Sequence, residues 1–253
     1  MTEWWSTLYD DLLVDMLLAR DEDDEEVRAT VDFLASRLQL QAGSRVFDQC
    51  CGIGSLALPF AGRGVVVFGV DQAARYVERA DRAARERQLP ATFVAGDAFE
   101  VVAPTPVDAA FNWWTSFGYT EDDERNASML RRAFESLAPG GRFALDYLNV
   151  PGILRGFQRH VVTRKPTARG EVVLWRDSEI DLAHGTMKKR WTYFVPGGER
   201  VEHESTVKLY LPDAVARMLE RVGFVDVELF GDVRGGPLGL DSPRCIALAR
   251  RPR

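Results

Sequence analysis

Two neighbouring stretches decide how this chain reads: SRVFDQCCGIGSLALPFA (Ser44–Ala61) and, after a short turn, VVVFGVD (Val65–Asp71). Arg45–Phe47 begins a short apolar strand that ends on an acid, Asp48. A tight turn carrying Gly52 and Gly54 follows, then a helix start built from small residues over Ser55–Ala61. Val65–Val70 is a second apolar strand, and it too ends on an acid, Asp71. This is the order of a βαβ unit, whose parallel strands place a ligand cradle at their carboxyl ends. Glycine at the turn permits positive φ and close approach of a ligand to the backbone. Asp71 is placed to accept hydrogen bonds from ribose hydroxyls.

Two kinds of nucleotide suit such a cradle. Gly52-x-Gly54-x-x-Ala57 matches the dinucleotide fingerprint. Against a dinucleotide stands Asp48, whose carboxylate at the mouth of the loop repels a pyrophosphate. S-adenosylmethionine carries a sulfonium and an ammonium instead, and carboxylates favour both. Asp48, Cys51, Gly52 and Gly54 resemble the first motif of the class I S-adenosylmethionine-dependent methyltransferases, roughly D-x-x-C-G-x-G. Cys50 stands where that motif often has glycine, a departure that bears on the shape of the loop. The resemblance implies a cofactor site built on Asp48, Cys50, Gly52, Gly54, Asp71 and Gln72.

Working outward, residues 73–88 read as a helix stopped before Pro90, and Thr92–Phe99 as a strand ending in Gly96-Asp97. By resemblance Asp97 accepts from the adenine amino group, and Ala98 and Phe99 line the ring. Residues 107–111 form a fourth strand. The loop after it, Asn112-Trp-Trp-Thr-Ser-Phe-Gly-Tyr119, emerges at the ligand end of a parallel sheet. The resemblance puts Asn112 at the cofactor and Trp113, Trp114, Phe117 and Tyr119 at the methyl acceptor; each ring has packing beneath the N-terminal helix as its competing reading. Residues 121–138 read as a helix. Pro139-Gly140-Gly141 then turns into a fifth strand, Arg142–Tyr147, with Asp146 and Asn149 at its ligand end; Asn149 joins the acceptor side.

Upstream, residues 3–19 carry apolar residues at helical spacing (Trp5, Leu8, Leu12, Leu13, Met16, Leu17). The resemblance has an N-terminal aromatic closing over the cofactor. Trp5 and Tyr9 are the candidates for that contact; Tyr9, being amphipathic, suits a polar contact better, and Trp5 belongs equally to the acceptor side or to the core. The acidic run 21–26 is a solvated face and a helix start. A helix over 25–38 follows, ended before the first strand by Gly43.

Downstream of residue 150 three β-rich runs appear, 171–181, 186–195 and 200–211, separated by His184-Gly185 and Pro196-Gly197-Gly198. They read as an antiparallel meander forming a lid, similar to one found in small-molecule methyltransferases, sugar N-methyltransferases among them. A last helix (212–222) and an antiparallel pair (225–230, 245–249) close the chain. The fold expected is therefore α/β. It is a doubly wound, Rossmann-like, seven-stranded and mostly parallel sheet, with the meander inserted after the fifth strand. The organisation expected is N-terminal helices over 1–42, a cofactor-binding core over 43–150, the lid over 151–211 and returning core elements over 212–253.

Composition bounds the function. The chain has 253 residues, 46% hydrophobic and 28% charged, with a formal net charge of −6, which does not favour a nucleic-acid partner. No apolar run reaches the length of a membrane span, no secretory leader is legible, and three cysteines are a poor disulfide framework. A cytoplasmic monomer or homodimer is expected, with no metal centre among the scattered histidines and cysteines. Methyl transfer is an in-line displacement that depends mainly on positioning. A general base is needed for an alcohol or phenol and is dispensable for an amine. Candidate bases are His160, which reads as part of a loop, His203 on a lid strand, Tyr119 and Asp146. The acceptor expected is a small, aromatic or partly apolar molecule methylated at N, O or C. Three alternatives stay open: an NAD-dependent oxidoreductase, a non-methylating enzyme of the cyclase kind on the same scaffold, and a non-enzymatic binding protein.

Overall fold

The computed structural model describes residues 3–253; residues 1 and 2 of the expected N-terminal segment lie outside the described residues. The element order is α1 (Trp5–Leu8), α2 (Asp11–Leu13), a π-helical turn (Val14–Leu18), α3 (Glu25–Leu38), β1 (Arg45–Gln49), α4 (Ala57–Gly62), β2 (Val66–Asp71), α5 (Ala74–Glu86), β3 (Ala91–Ala95), β4 (Val107–Asn112), α6 (Asp123–Ser136), β5 (Leu137–Tyr147), α7 (Val150–Arg155), β6 (His160–Thr167), β7 (Gly170–Asp181), β8 (Thr186–Val195), β9 (Glu199–Lys208), α8 (Pro212–Val222), β10 (Val225–Phe230) and β11 (Cys245–Arg250).

Seven strands form one sheet in the order β10-β11-β5-β4-β1-β2-β3. All neighbours are parallel except β11, which runs antiparallel to both β5 and β10. The strand order reverses between β1 and β4, so the crevice that such sheets use for ligands opens at the carboxyl ends of these two strands. The strands are apolar on both faces because helices cover both. Phe60, Phe111 and Leu34 belong to one core layer, and Phe47, Phe143 and Leu130 to the other. The seven-stranded α/β sheet with an inserted meander is the architecture that the sequence implies.

Local chemistry sets the boundaries. Asp24 caps α3 by accepting from the Glu26 N–H at 2.8 Å, so the acidic run does start that helix. The helix ends on Gln39 in the left-handed region (φ 58°), four residues before Gly43. Asp122 caps α6, which spans 123–136 rather than 121–138, and β5 begins at Leu137, five residues earlier than the Gly-Gly turn implied.

Residues 3–19 are not one helix. Asp10 is extended (φ −108°, ψ −177°), and its carboxylate re-caps the chain by accepting from the Leu13 N–H at 2.9 Å. The apolar spacing still serves burial. Leu8, Leu12, Leu13 and Met16 pack against Val172, Leu174, Trp191, Tyr193 and Val195 in a third core beneath the lid.

The lid is a separate sheet of four antiparallel strands, β6-β7-β8-β9. The strand that the sequence did not disclose is β6. It is an edge strand with no fully buried residue, and it carries Arg164, Lys165 and Pro166, which hide a strand's apolar signature while protecting its edge. The lid meets the main sheet where the Lys208 N–H donates to Gly118 O at 2.7 Å and the Tyr147 hydroxyl donates to Lys208 O. Among the described residues no helix is long and apolar enough to cross a membrane.

Candidate active site

The loop after β1 folds on three residues of positive φ: Cys50 (66°), Gly52 (55°) and Gly54 (84°). Cys50 thus adopts the left-handed conformation that glycine would take more cheaply. Gly54 is required by space as well, because a Cβ there would meet Leu58 Cγ at 3.1 Å and Ala80 Cβ at 3.2 Å. A Cβ on Gly52 would meet nothing within 4 Å, so the loop's open side is there.

Two carboxylates, Asp71 and Asp97, line that open side, while Asp48 and Gly54, expected at the cofactor, lie off the cavity wall. Asp71, at the end of β2, accepts from the Gly52 N–H through Oδ2 and from the Ala73 N–H through Oδ1, both at 2.9 Å. It therefore fixes the glycine loop and still has lone pairs to spare. Asp97, beyond β3, accepts from the Phe99 N–H at 2.9 Å. Asp48 lies at the end of β1, 3% exposed, with no hydrogen bond to its carboxylate among the described residues. None of the three has a salt-bridge partner among the described residues. Burial raises the Asp48 carboxyl well above its usual range, and the neighbouring Asp71 charge raises it further. Burial raises Asp71 too, against the two backbone donors that lower it. Electrostatically, this is a site that a cation would relieve.

The loop opens into a cavity of about 420 Å³. Cys50, Gly52, Asp71, Gln72, Asp97, Ala98 and Phe99 line one half. Trp5 and Tyr9, from the N-terminal segment, and Trp113, Trp114 and Tyr119, from the loop after β4, line the wall between. The Tyr9 and Tyr119 hydroxyls hydrogen-bond to each other, and burial pushes both phenols upward. The other half belongs to the lid: Arg176 and Lys189 with Trp191, Ser205 and Val207, joined by Arg20 and Arg244.

Several residues singled out in the sequence sit elsewhere. Asn112 is fully buried under the loop and off the cavity wall, donating to Gln49 Oε1 at 3.3 Å and to Cys50 Sγ at 3.8 Å, while Gln49 donates to Ala98 O at 3.2 Å. Phe117 is in the core, against Tyr147 and Tyr210. Asn149 donates to Gly239 O and Ser242 O, both at 2.8 Å, pinning the loop before β11. His160 opens β6 rather than lying in a loop; it is exposed, 3.3 Å from Asp177 and off the cavity wall. His203 is off the wall too: its Nε2 lies 3.0 Å from Asp10 Oδ2, tying the lid to the N-terminal segment. Its sequence neighbours Glu202 and Glu204 do not orient it; a residue 193 positions earlier does.

Asp146, 1% exposed, is fully committed. Its Oδ1 accepts from Arg244 Nε at 2.6 Å, and its Oδ2 from Arg244 Nη2 and, at 2.9 Å, from the Trp114 N–H. This arrangement holds Trp114 (φ 56°) and Thr115 (φ 62°), two non-glycine residues in the left-handed region beside the cavity.

Sequence reasoning missed Arg20, Arg176, Lys189, Trp191 and Arg244. Period-2 alternation along β7 and β8 does put Arg176, Lys189 and Trp191 on one face. Which face turns inward depends on the third core, which no local pattern reveals.

Residues 46–141 match the family model described as a methyltransferase domain. The S-adenosyl-L-methionine-dependent Diels-Alderase iccD of Talaromyces variabilis is 35% identical over 214 residues, which are 81% of this chain and 61% of that protein. The 27-O-demethylrifamycin SV methyltransferase of Amycolatopsis mediterranei (strain S699) is 33% identical over 132 residues, 51% of this chain and 47% of that one. The chain thus spans about half to three-fifths of the length of these curated relatives. In fold, it superposes on the CcbJ methyltransferase of Streptomyces caelestis with a TM-score of 0.79 at 19% identity, covering 97% of this chain and 98% of that one.

Proposed function

We propose that this chain, which belongs to the class I S-adenosylmethionine-dependent methyltransferase family, binds S-adenosylmethionine on its glycine loop and methylates a small, partly apolar acceptor held under the lid. The observation that carries this reading is the set of three carboxylates, Asp48, Asp71 and Asp97, at the ends of adjacent parallel strands around the loop, with no salt-bridge partner among the described residues. A sulfonium and an ammonium fit that charge; a pyrophosphate does not.

Asp71 takes the ribose hydroxyls, Asp97 with Ala98 and Phe99 takes the adenine, and Tyr9 closes over the cofactor from above. Bound there, S-adenosylmethionine supplies an electrophilic methyl group. The chain's own residues contribute position and dryness. The aromatic wall of Trp5, Trp113, Trp114 and Tyr119 excludes water and presents flat apolar faces to the acceptor. Among the described residues no histidine or unpaired carboxylate lines the lid half, and burial pushes the two phenols upward, away from use as bases at neutral pH. The acceptor atom that suits such a site is an amine, or an oxygen or carbon that arrives already ionised.

A second reading has specific support. The relative at 35% identity is described as a Diels-Alderase, and a cavity without a base also suits a ring closure that moves no proton. Calorimetric titration with S-adenosylmethionine, S-adenosylhomocysteine and NADH tests the cofactor: the first two are expected to bind and the third not. Binding of NADH alone overturns the reading. Stoichiometric release of S-adenosylhomocysteine with product separates methyl transfer from cyclisation.

A further inference from the structure

The lid half of the cavity carries positive charge with no acid to balance it. Of the four basic residues on the cavity wall, two are paired: Arg20 with Glu26 and Arg244 with Asp146. Arg176 and Lys189 have no salt bridge among the described residues. The Arg176 Nε is buried and unpartnered, and its Nη2 makes one long contact, 3.4 Å, to Thr163 Oγ1. Lys189 has no hydrogen-bond partner among the described residues. Both side chains are half-buried on the cavity wall, and donors placed there with neither counter-charge nor acceptor are available to a ligand that completes the set.

Their placement is specific. Arg176 on β7 stands directly opposite Trp191 on β8, and Lys189 lies two residues from Trp191 on the same face. The guanidinium carbon is 5.7 Å and the ammonium nitrogen 5.8 Å from the centre of the Trp191 ring. The ring is itself fixed, since its Nε1 donates to Ser205 Oγ at 2.8 Å. On the core side of the cavity, the buried Trp114 Nε1 is a further donor without an acceptor. The cavity is therefore bipolar, with carboxylates at the glycine loop and unsatisfied donors at the lid.

We propose that Arg176 and Lys189 bind an oxyanion of the acceptor (a carboxylate, a phosphate or an acidic enolate) over the face of Trp191, and that this contact selects the substrate. The proposal rests on the assignment of the glycine-loop half to S-adenosylmethionine. It goes further by fixing the acceptor's polarity: acidic group toward the lid, reacting atom toward the cofactor.

The test is calorimetry on the full chain saturated with S-adenosylhomocysteine, using 2-naphthoate, its neutral isostere 2-naphthamide, and 2-naphthyl phosphate. At least one anion is expected to bind about tenfold or more tightly than the amide, the worth of one charge-assisted hydrogen bond. Whichever anion is tighter assigns a carboxylic or a phosphorylated acceptor. Arg176→Gln and Lys189→Met are each expected to erase that preference while leaving S-adenosylhomocysteine affinity within about twofold. Both are expected to keep or raise the thermal midpoint, because an unbalanced charge is removed. Equal or absent binding of anion and amide overturns the proposal, as does a preference that survives in both variants. Failure of S-adenosylhomocysteine to bind would instead sink the cofactor assignment; the contrast between acid and amide is then read on the protein alone.

Discussion

Asp146→Asn separates a structural carboxylate from a catalytic one. The change keeps the shape and one acceptor oxygen, but it turns an amide NH₂ toward the Arg244 guanidinium and removes the counter-charge. Breaking a buried ion pair costs about 3–5 kcal/mol. Arg244 is 31% exposed on its side chain and can recover some hydration, so the low end applies, about 3 kcal/mol. At 1.4 kcal/mol per decade, this is roughly a hundredfold change in the folding equilibrium. The Trp114–Thr115 turn loses its anchor as well, and its two left-handed residues, at about 1 kcal/mol each, are free to relax. Urea unfolding followed by tryptophan fluorescence reads the first effect, provided the slope with denaturant is unchanged. Asp146→Asn combined with Arg244→Gln should cost less than the sum of the two single changes. A destabilisation below about 1 kcal/mol, together with loss of turnover, would refute this reasoning and return Asp146 to the role of base.

Asp71→Ala should weaken S-adenosylhomocysteine by about 2 kcal/mol, roughly thirtyfold, and lower stability besides, because the Gly52 and Ala73 N–H groups lose their acceptor; unchanged affinity by calorimetry rules out the ribose role. His203→Ala should cost about 1 kcal/mol by unfastening Asp10 and leave the pH profile of turnover unmoved, whereas a profile that loses a limb near neutrality would restore His203 as a base. Burial, and after it the Arg176 charge, lower Lys189 to about 8. The folded chain then holds fewer protons than the unfolded one between about pH 8 and the ordinary lysine value near 10.4, so wild-type stability should rise across that window relative to Lys189→Met. Affinity for 2-naphthoate should fall as pH passes 8 and converge on that of the variant; a flat profile contradicts the role given to Lys189. Gly54→Ala should destabilise the fold by about 1–3 kcal/mol in thermal unfolding, since φ and space both oppose a side chain there.

The glycine loop and the acids around it were legible because those residues are local. Asp48, Gly52, Gly54 and Asp71 lie within 24 positions, and Asp97 follows at the end of the next strand. The seven-stranded sheet followed from the same alternation of strand and helix. The lid half was not legible, because its chemistry depends on pairings at long range. Nothing beside His203 in sequence points to Asp10, and nothing near Asp146 points to Arg244. Phe117 and Asn149 show the opposite error: position at a strand's carboxyl end placed them near the ligand, while packing turned their side chains to other work. The break at Asp10 escaped the periodicity because one side chain can re-cap a chain without disturbing the spacing of its apolar neighbours.

The third core joins residues 8–16 to strands that lie far along the chain from them. Leu8, Leu12 and Met16 leave the ribosome roughly 160 residues before the strands that bury them, a wait of about 8–30 s at ordinary elongation rates. The Rossmann-like sheet meanwhile assembles up to β5 with an unpartnered apolar leader attached.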